Sequence, residues 1–440
     1  MDRVCWVVNS RLLLVWSGIR QALGNTRAKA TESAVSMNFS KRTKWDTEES
    51  DLARAHRERV AAGLPIADLT ASNPTRCGFD YPVDLLIPLT DSAAYDYDPN
   101  PRGSLRAREA IGRYYRAQGV EVEPGQVMLT TSTSEAYGYL FKLLCDSGDR
   151  VLVPQPSYPL FDFLARAEAV ELTPAPLVYD HGWQLDLEGL RRQITPSTRA
   201  VVLVHPNNPT GHFTKLTEAR ELAAICSEHN LALILDEVFL DYGLGDEVEA
   251  AGDRSSFAGR DLGILVFIVS GISKICALPQ MKVAWLIAVG PGSEEALARL
   301  EVVADTYLSM NAPVQQALPA WLEKRAGIQA QIRTRVQSNL DELDRALASQ
   351  AEGQAGGGLI INRLGIEGGW YAILRIPATQ PDETTALELL KLGVLVHPGY
   401  FFGMGESGWL VVSLLARPSE FALGISELLG YFHRNHSSYF

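Results

Sequence analysis

The stretch Ala200-Val201-Val202-Leu203-Val204-His205-Pro206-Asn207-Asn208-Pro209-Thr210-Gly211 decides the fold. Five apolar, mostly β-branched residues end at a polar turn bracketed by prolines, the pattern of a short strand buried on both faces. A helix-length segment over 216–229 follows, and then a second apolar run over 231–235 closed by Asp236 and Glu237. The alternation continues outward. Residues 127–129 read as a strand before a helix over 135–144, and 151–154 and 264–269 are further short apolar runs. Short apolar strands separated by amphipathic helices predict an α/β domain over 91–324 with a mostly parallel sheet between helices.

Beyond that core the periodicity changes. Around 325–350 Arg325, Gln329, Ile332, Val336, Leu340, Leu343 and Leu347 recur at helical spacing, a glycine-rich turn spans 353–358, and strands are predicted at 369–376, 394–397 and 410–415. On the N-terminal side, 47–62 predicts a charged helix stopped by Gly63-Leu64-Pro65, 66–69 a short strand, and Ser72-Asn73-Pro74-Thr75 a turn. Residues 325–440 are therefore read as a smaller α+β domain that 38–90 joins, so that it is built from both chain ends. Residues 1–37 are set aside as a disordered leader or a mis-assigned start. Their apolar run, 5–16, is too short to span a bilayer and only poorly resembles an export signal.

Composition narrows the function. The chain carries 40 Lys and Arg against 52 Asp and Glu, a net charge of −12, and residues 1–44 hold eight of the basic and two of the acidic residues. An acidic body argues against nucleic acid as a partner. Five scattered cysteines with no C-x-x-C spacing predict free thiols in a reducing cytoplasm; no metal site is expected, and with the 5–16 run too short to span a bilayer no membrane partner either.

Four motifs carry chemistry, each at the end of a predicted strand. Thr131-Ser132-Thr133-Ser134-Glu135 opens a helix, where backbone N–H groups and hydroxyls suit an anion, although an ordinary helix cap has the same letters. Asn208 stands in the turn after 200–204, at the strand edge where ligands of open α/β sheets bind; a plain loop asparagine is the alternative. Asp236 closes an apolar strand, where a carboxylate needs a cationic ligand, a metal or an arginine. Ser270-Gly271-Ile272-Ser273-Lys274 follows another apolar strand, and a desolvated lysine there can form a Schiff base, though a solvated surface lysine fits as well.

The order and spacing of Asn208, Asp236 and Lys274, together with Ser72–Thr75, Tyr95-Asp96-Tyr97, Gly103, Leu105-Arg106 and Pro156-Ser157-Tyr158-Pro159, resemble the fold-type I pyridoxal-phosphate enzymes of the class I/II aminotransferase family. The resemblance covers about 66–416 and implies a large, mostly parallel seven-stranded-type sheet and a homodimer. It also implies pyridoxal 5′-phosphate as cofactor and a transaminase acting on an amino acid and a 2-oxo acid. By resemblance Lys274 would bind the cofactor covalently and move the substrate α-proton, Asp236 would hold the pyridine nitrogen, and Asn208 the phenolic oxygen. Tyr158 would stack on the ring, Ser132, Thr133 and Ser134 would cradle the phosphate, and Tyr97 would reach the partner's phosphate.

The chain departs from that pattern. Phe239 stands where a tyrosine often donates to the phenolic oxygen, Gly271 where a phosphate-binding serine is common with Ser270 as its substitute, and Lys282 where an arginine usually clamps the phosphate. Val411 falls where relatives place the arginine for the substrate carboxylate. Arg375, in an apolar strand, is the first candidate to replace it, unless it pairs with Glu383 or Glu388; Arg417, Asn73 and Arg76 follow. No second arginine for a side-chain carboxylate is visible in the motifs, which favours a small neutral donor such as alanine. The same resemblance leaves open a C–S lyase, a racemase or, more remotely, a non-catalytic pyridoxal-phosphate sensor.

Overall fold

The computed structural model describes residues 37–245, 252–352, 361–405 and 407–436. The expected leader, apart from Met37, and the turn over 353–358 lie outside the described residues. After a short strand, β1 (Ala67–Asp68), the large sheet forms from β2 (Val127–Thr130), β3 (Arg150–Gln155), β4 (Glu171–Tyr179), β5 (Trp183–Leu185), β6 (Thr198–Val204), β7 (Ala232–Asp236), β8 (Val266–Gly271) and β9 (Ala284–Val289). Their order across the sheet is β2-β9-β8-β7-β6-β3-β4-β5. Strands β8, β7, β6, β3 and β4 pair in parallel, and β9 runs against both neighbours, so β2 points the same way as the parallel set.

The sheet has eight strands where a seven-stranded type was expected. The extra one is β5, which turns back antiparallel on the edge strand β4. His181, at φ +54°, makes that reversal tight. The central strands are buried on both faces, which is why β6, β7, β8 and β9 read as unbroken apolar runs. The helix Leu216–His229 between β6 and β7 buries Ala219, Leu222, Ala223, Ile225 and Cys226 along one stripe. It starts where the Glu218 carboxylate accepts from the Lys215 N–H at 2.8 Å and ends at Asn230 in the left-handed region.

The second layer is a four-stranded antiparallel sheet, ordered β10 (Asn362–Arg363), β11 (Tyr371–Arg375), β14 (Trp409–Ser413), β13 (His397–Pro398). Beside it β12 (Val394–Leu395) pairs in parallel with β1, so the two chain ends do build this layer together. The long helix predicted near 325–350 begins earlier, as Ala312–Glu352, because Pro319 lies inside it without ending it. No helix among the described residues is long and apolar enough to cross a membrane. Cys77, Cys145, Cys226 and Cys276 are free thiols.

Candidate active site

Because β2, β3, β6, β7 and β8 all point one way, the loops that leave their carboxyl ends meet at a single edge of the sheet. Those strand ends and the segments that follow them carry Ser132–Ser134, Tyr158, Asn208, Asp236 and Ser270–Lys274. The motifs that lie far apart in sequence thus become one site through topology alone.

Lys274 lies in a single helical turn, Ile272–Ile275, that follows β8. Its Nζ lies 4.9 Å from the centre of the Trp370 ring and 5.5 Å from that of Phe239. Burial among these rings disfavours the ammonium and outweighs the attraction of Asp236, bringing the amine down to about 8. Tyr242 donates its hydroxyl to the Lys274 carbonyl at 2.7 Å, which fixes the turn. Trp370, Phe239 and Tyr242 interlock edge to face. Trp370 and Tyr242 were not singled out from the sequence; the only sign was the Gly368-Gly369 pair that lets a strand begin close to the large domain.

Asp236 is the last residue of β7 and is buried. Oδ1 accepts from the Val238 N–H and Oδ2 from the Tyr137 hydroxyl, each at 3.1 Å. Burial raises the carboxyl to about 6, against the lowering effect of these two donors and of Lys274. Asn208 and Asn207 are both buried with their side-chain oxygens unpartnered, but the Asn207 amide nitrogen is held by the Pro156 carbonyl and the Thr210 hydroxyl. Ser132 caps the helix Thr133–Leu144, its hydroxyl accepting from the Glu135 N–H at 3.2 Å, so the helix N-terminus opens at the same edge. Gly271 admits no side chain: a Cβ there would lie 2.8 Å from the Ala284 Cβ and 3.0 Å from the Val283 carbonyl. Ser270 is buried, with its hydroxyl 3.5 Å from the Glu237 carbonyl.

Other expected residues are placed differently. Tyr158 stays 39% exposed at the rim, near the buried Tyr371, whose phenol is pushed up chiefly by burial. Lys282 is exposed in a left-handed turn after β8 and makes no ion pair among the described residues. Tyr97 is 82% exposed. Arg375 is not brought to Lys274. It ends β11, five residues beyond Trp370, is exposed, and lies over the Trp409 ring at 5.8 Å. Nor does it pair with Glu383 or Glu388; Glu388 takes hydrogen bonds from Gln380 and Tyr431 instead. Val411 is fully buried between Ile373 and His397. Asn73 turns its side-chain oxygen to Thr75, accepting from the Thr75 N–H at 3.1 Å and the Thr75 hydroxyl at 2.8 Å. Arg417 is exposed and lies against Gly78, with its Nε 3.1 Å from where a Cβ would stand. Burial pushes the neighbouring Cys77 thiol up to about 11 in spite of the Arg335 and Arg417 cations.

A desolvated amine, a carboxylate held on its own donors, a buried amide with unused capacity and a helix N-terminus fit a phosphorylated pyridine aldehyde. A family model described as aminotransferase class I and II matches residues 92–422. Glutamate-pyruvate aminotransferase AlaA of Escherichia coli K12 is 30% identical over 266 residues, covering 58% of this chain and 63% of that protein. Alanine aminotransferase of Mycobacterium tuberculosis H37Rv is 30% identical over 277 residues, covering 60% and 62%. The chain thus matches less than two thirds of the length of these curated relatives. An alanine aminotransferase structure from Pyrococcus furiosus shares the fold at a TM-score of 0.76, with 22% identity over 88% of this chain and 96% of that one.

Proposed function

The chain belongs to the class I and II aminotransferases, and on that premise we propose that it is a pyridoxal-phosphate-dependent transaminase moving an amino group from an α-amino acid to a 2-oxo acid. The observation that carries the reading is the buried Lys274 amine within the field of Asp236, at the sheet edge where Asn208 and the capped helix also open. Bound pyridoxal phosphate supplies an aldehyde carbon that carries the amino group and a ring that accepts the electron pair left by the α-proton. Lys274 Nζ would hold the cofactor through its amine, and the same neutral amine would serve as the base that takes the substrate α-proton and as the acid that returns it. Asp236 would hold the ring nitrogen as its anionic partner, and Asn208 would donate toward the phenolic oxygen. The N–H groups of Thr133 and Ser134 and the hydroxyl of Ser132 would hold the phosphate. Trp370 and Phe239 keep water from the amine.

A small neutral amino donor such as alanine is supported by the names of the two curated relatives and by the lack of a second arginine in the motifs. With Val411 buried and Arg375 remote, Arg417 beside Gly78 is the arginine assigned to the substrate carboxylate. A cytoplasmic homodimer completes the reading. The test is a half-reaction: holoenzyme mixed with alanine, without an oxo acid, converts its visible aldehyde-form spectrum to the amine form, and pyruvate or 2-oxoglutarate reverses it. Ammonia release with the spectrum unconverted would show an elimination enzyme instead.

A further inference from the structure

We propose that Tyr137 is the positioning residue of the site, its hydroxyl fixing the Asp236 side chain as the charged partner of the cofactor's ring nitrogen. The proposal rests on the aminotransferase reading above. Tyr137 lies one turn inside the helix Thr133–Leu144, on the face that also buries Ala136, Leu140 and Phe141. A hydroxyl on such a face loses its water and needs a partner within the protein. It finds one on a different element, Oδ2 of Asp236 at the end of β7, at 3.1 Å.

The tyrosine has little freedom to leave. Its ring is only 2% exposed, edge to face with Phe161 at 5.1 Å and tilted on Phe141 at 6.0 Å. Asp236 is equally fixed in its main chain, whose carbonyl accepts from the His205 N–H at 2.7 Å. Its side chain then has one torsional choice left, and two donors make it: the Val238 N–H on Oδ1, from its own turn, and the Tyr137 hydroxyl on Oδ2, from the helix whose N-terminus faces the phosphate. One rigid helix thereby sets both ends of the ligand.

The charged groups facing Asp236 cannot do the same work. Lys274, on the turn after β8, attracts the carboxylate but is the group that changes charge and bonding during turnover, and Glu237, next in sequence, repels it. Tyr137 is a neutral donor: burial, with Asp236 adding to it, pushes its phenol far above ordinary values, so it holds its proton at every working pH. By hydrogen-bonding the ionised form it opposes the burial that favours a protonated carboxyl.

The test is Tyr137→Phe, which keeps the ring and removes only the donor. Wild type and variant are compared as apoprotein and after addition of pyridoxal phosphate. In the apoprotein, the carboxylate-to-acid infrared bands of Asp236, assigned by their loss in Asp236→Asn, are titrated; with cofactor, binding is followed by absorbance and fluorescence. The expected result is an Asp236 midpoint moved to higher pH and an affinity for pyridoxal phosphate lowered roughly tenfold, the size of one hydrogen bond to a charged group. If either readout is unchanged while the wild type binds the cofactor, the proposal falls alone, even when melting temperature drops, since a purely packing tyrosine would do only that. A wild type that takes up no pyridoxal phosphate overturns the aminotransferase reading and the proposal together.

Discussion

Lys274 shows how much one residue's surroundings decide. Near 8, its amine is about one-tenth neutral at pH 7. Cofactor uptake by the apoprotein needs the neutral amine, so its rate is expected to rise about tenfold from pH 6 to 7 and level off above about 8. A flat profile by stopped-flow absorbance would mean that another group limits uptake. Lys274→Ala should abolish the visible absorption of lysine-bound cofactor and slow turnover by several orders of magnitude while the circular dichroism spectrum is kept; retained turnover would remove Lys274 from the chemistry. Lys274, Asp236 and Asn208 were legible in the sequence because each sits at the end of an apolar strand, where a polar side chain must have a purpose. Tyr137 and Trp370 were not, since an aromatic at helical or strand spacing looks like core until the partner strand is in place. Arg375 misled for the opposite reason. A cation in an apolar strand suggested burial, yet the strand end carries it out to solvent over Trp409.

Between residues and fold lie the elements, and the strand–turn–helix–strand unit over 198–236 was readable almost whole because its helix and both strands obey their periods. Strands β4 and β5 were not, since β4 is partly exposed and carries Pro174 and Pro176 and β5 has only three residues, and nothing physical hides β9, an apolar run like its neighbours. The segment leading into β11 was equally silent, and it is held by a charged clasp. Glu367 accepts from the Phe213 N–H at 2.9 Å and pairs with Lys215 at 2.5 Å, and His212 lies between Glu218 at 3.2 Å and Glu367 at 3.6 Å. Three residues on, Trp370 meets Lys274. Burial works against ionisation throughout the clasp, but the close opposite charges win: His212 is held above its ordinary value and Glu367, which also accepts from the Phe213 N–H and Lys215, is brought down to about 2. The imidazolium therefore adds stability that is whole below about 6.5 and fades as pH rises through its folded value. The Glu367 carboxylate adds stability that is whole above about 4.5 and fades as pH falls toward 2. The clasp is strongest between those limits. Glu367→Gln is expected to cost about 1–3 kcal/mol at pH 6, below the range of a fully buried pair because this side chain is 39% exposed. It should also flatten the decline of melting temperature from pH 6 to 8. An unchanged decline would show that His212 answers to Glu218 alone.

At the scale of the whole molecule the question is whether one chain completes the site. Val83, Leu86, Ile87, Tyr95 and Tyr97 leave apolar surface exposed along the segment before the helix Leu105–Arg116, and Val302 and Tyr307 do so on the helix Ser293–Tyr307. Apolar surface of that extent is commonly covered by association. Sedimentation equilibrium is accordingly expected to give twice the 48.2 kDa chain mass. Tyr97, 82% exposed, is free to reach a second chain, and by the family resemblance it would enter that chain's site. The two chains of such a dimer are related by a two-fold axis, so each site would take Lys274 from one chain and Tyr97 from the other. That arrangement makes a sharp forecast. Lys274→Ala chains and Tyr97→Phe chains, each impaired alone, are unfolded together and refolded as a mixture. Half the dimers should then be hybrids, and in each hybrid one site has both residues intact, which restores roughly a quarter of wild-type activity. If Tyr97 instead serves the chain that carries it, no mixture contains an intact site, and the refolded sample stays at the average of its parents.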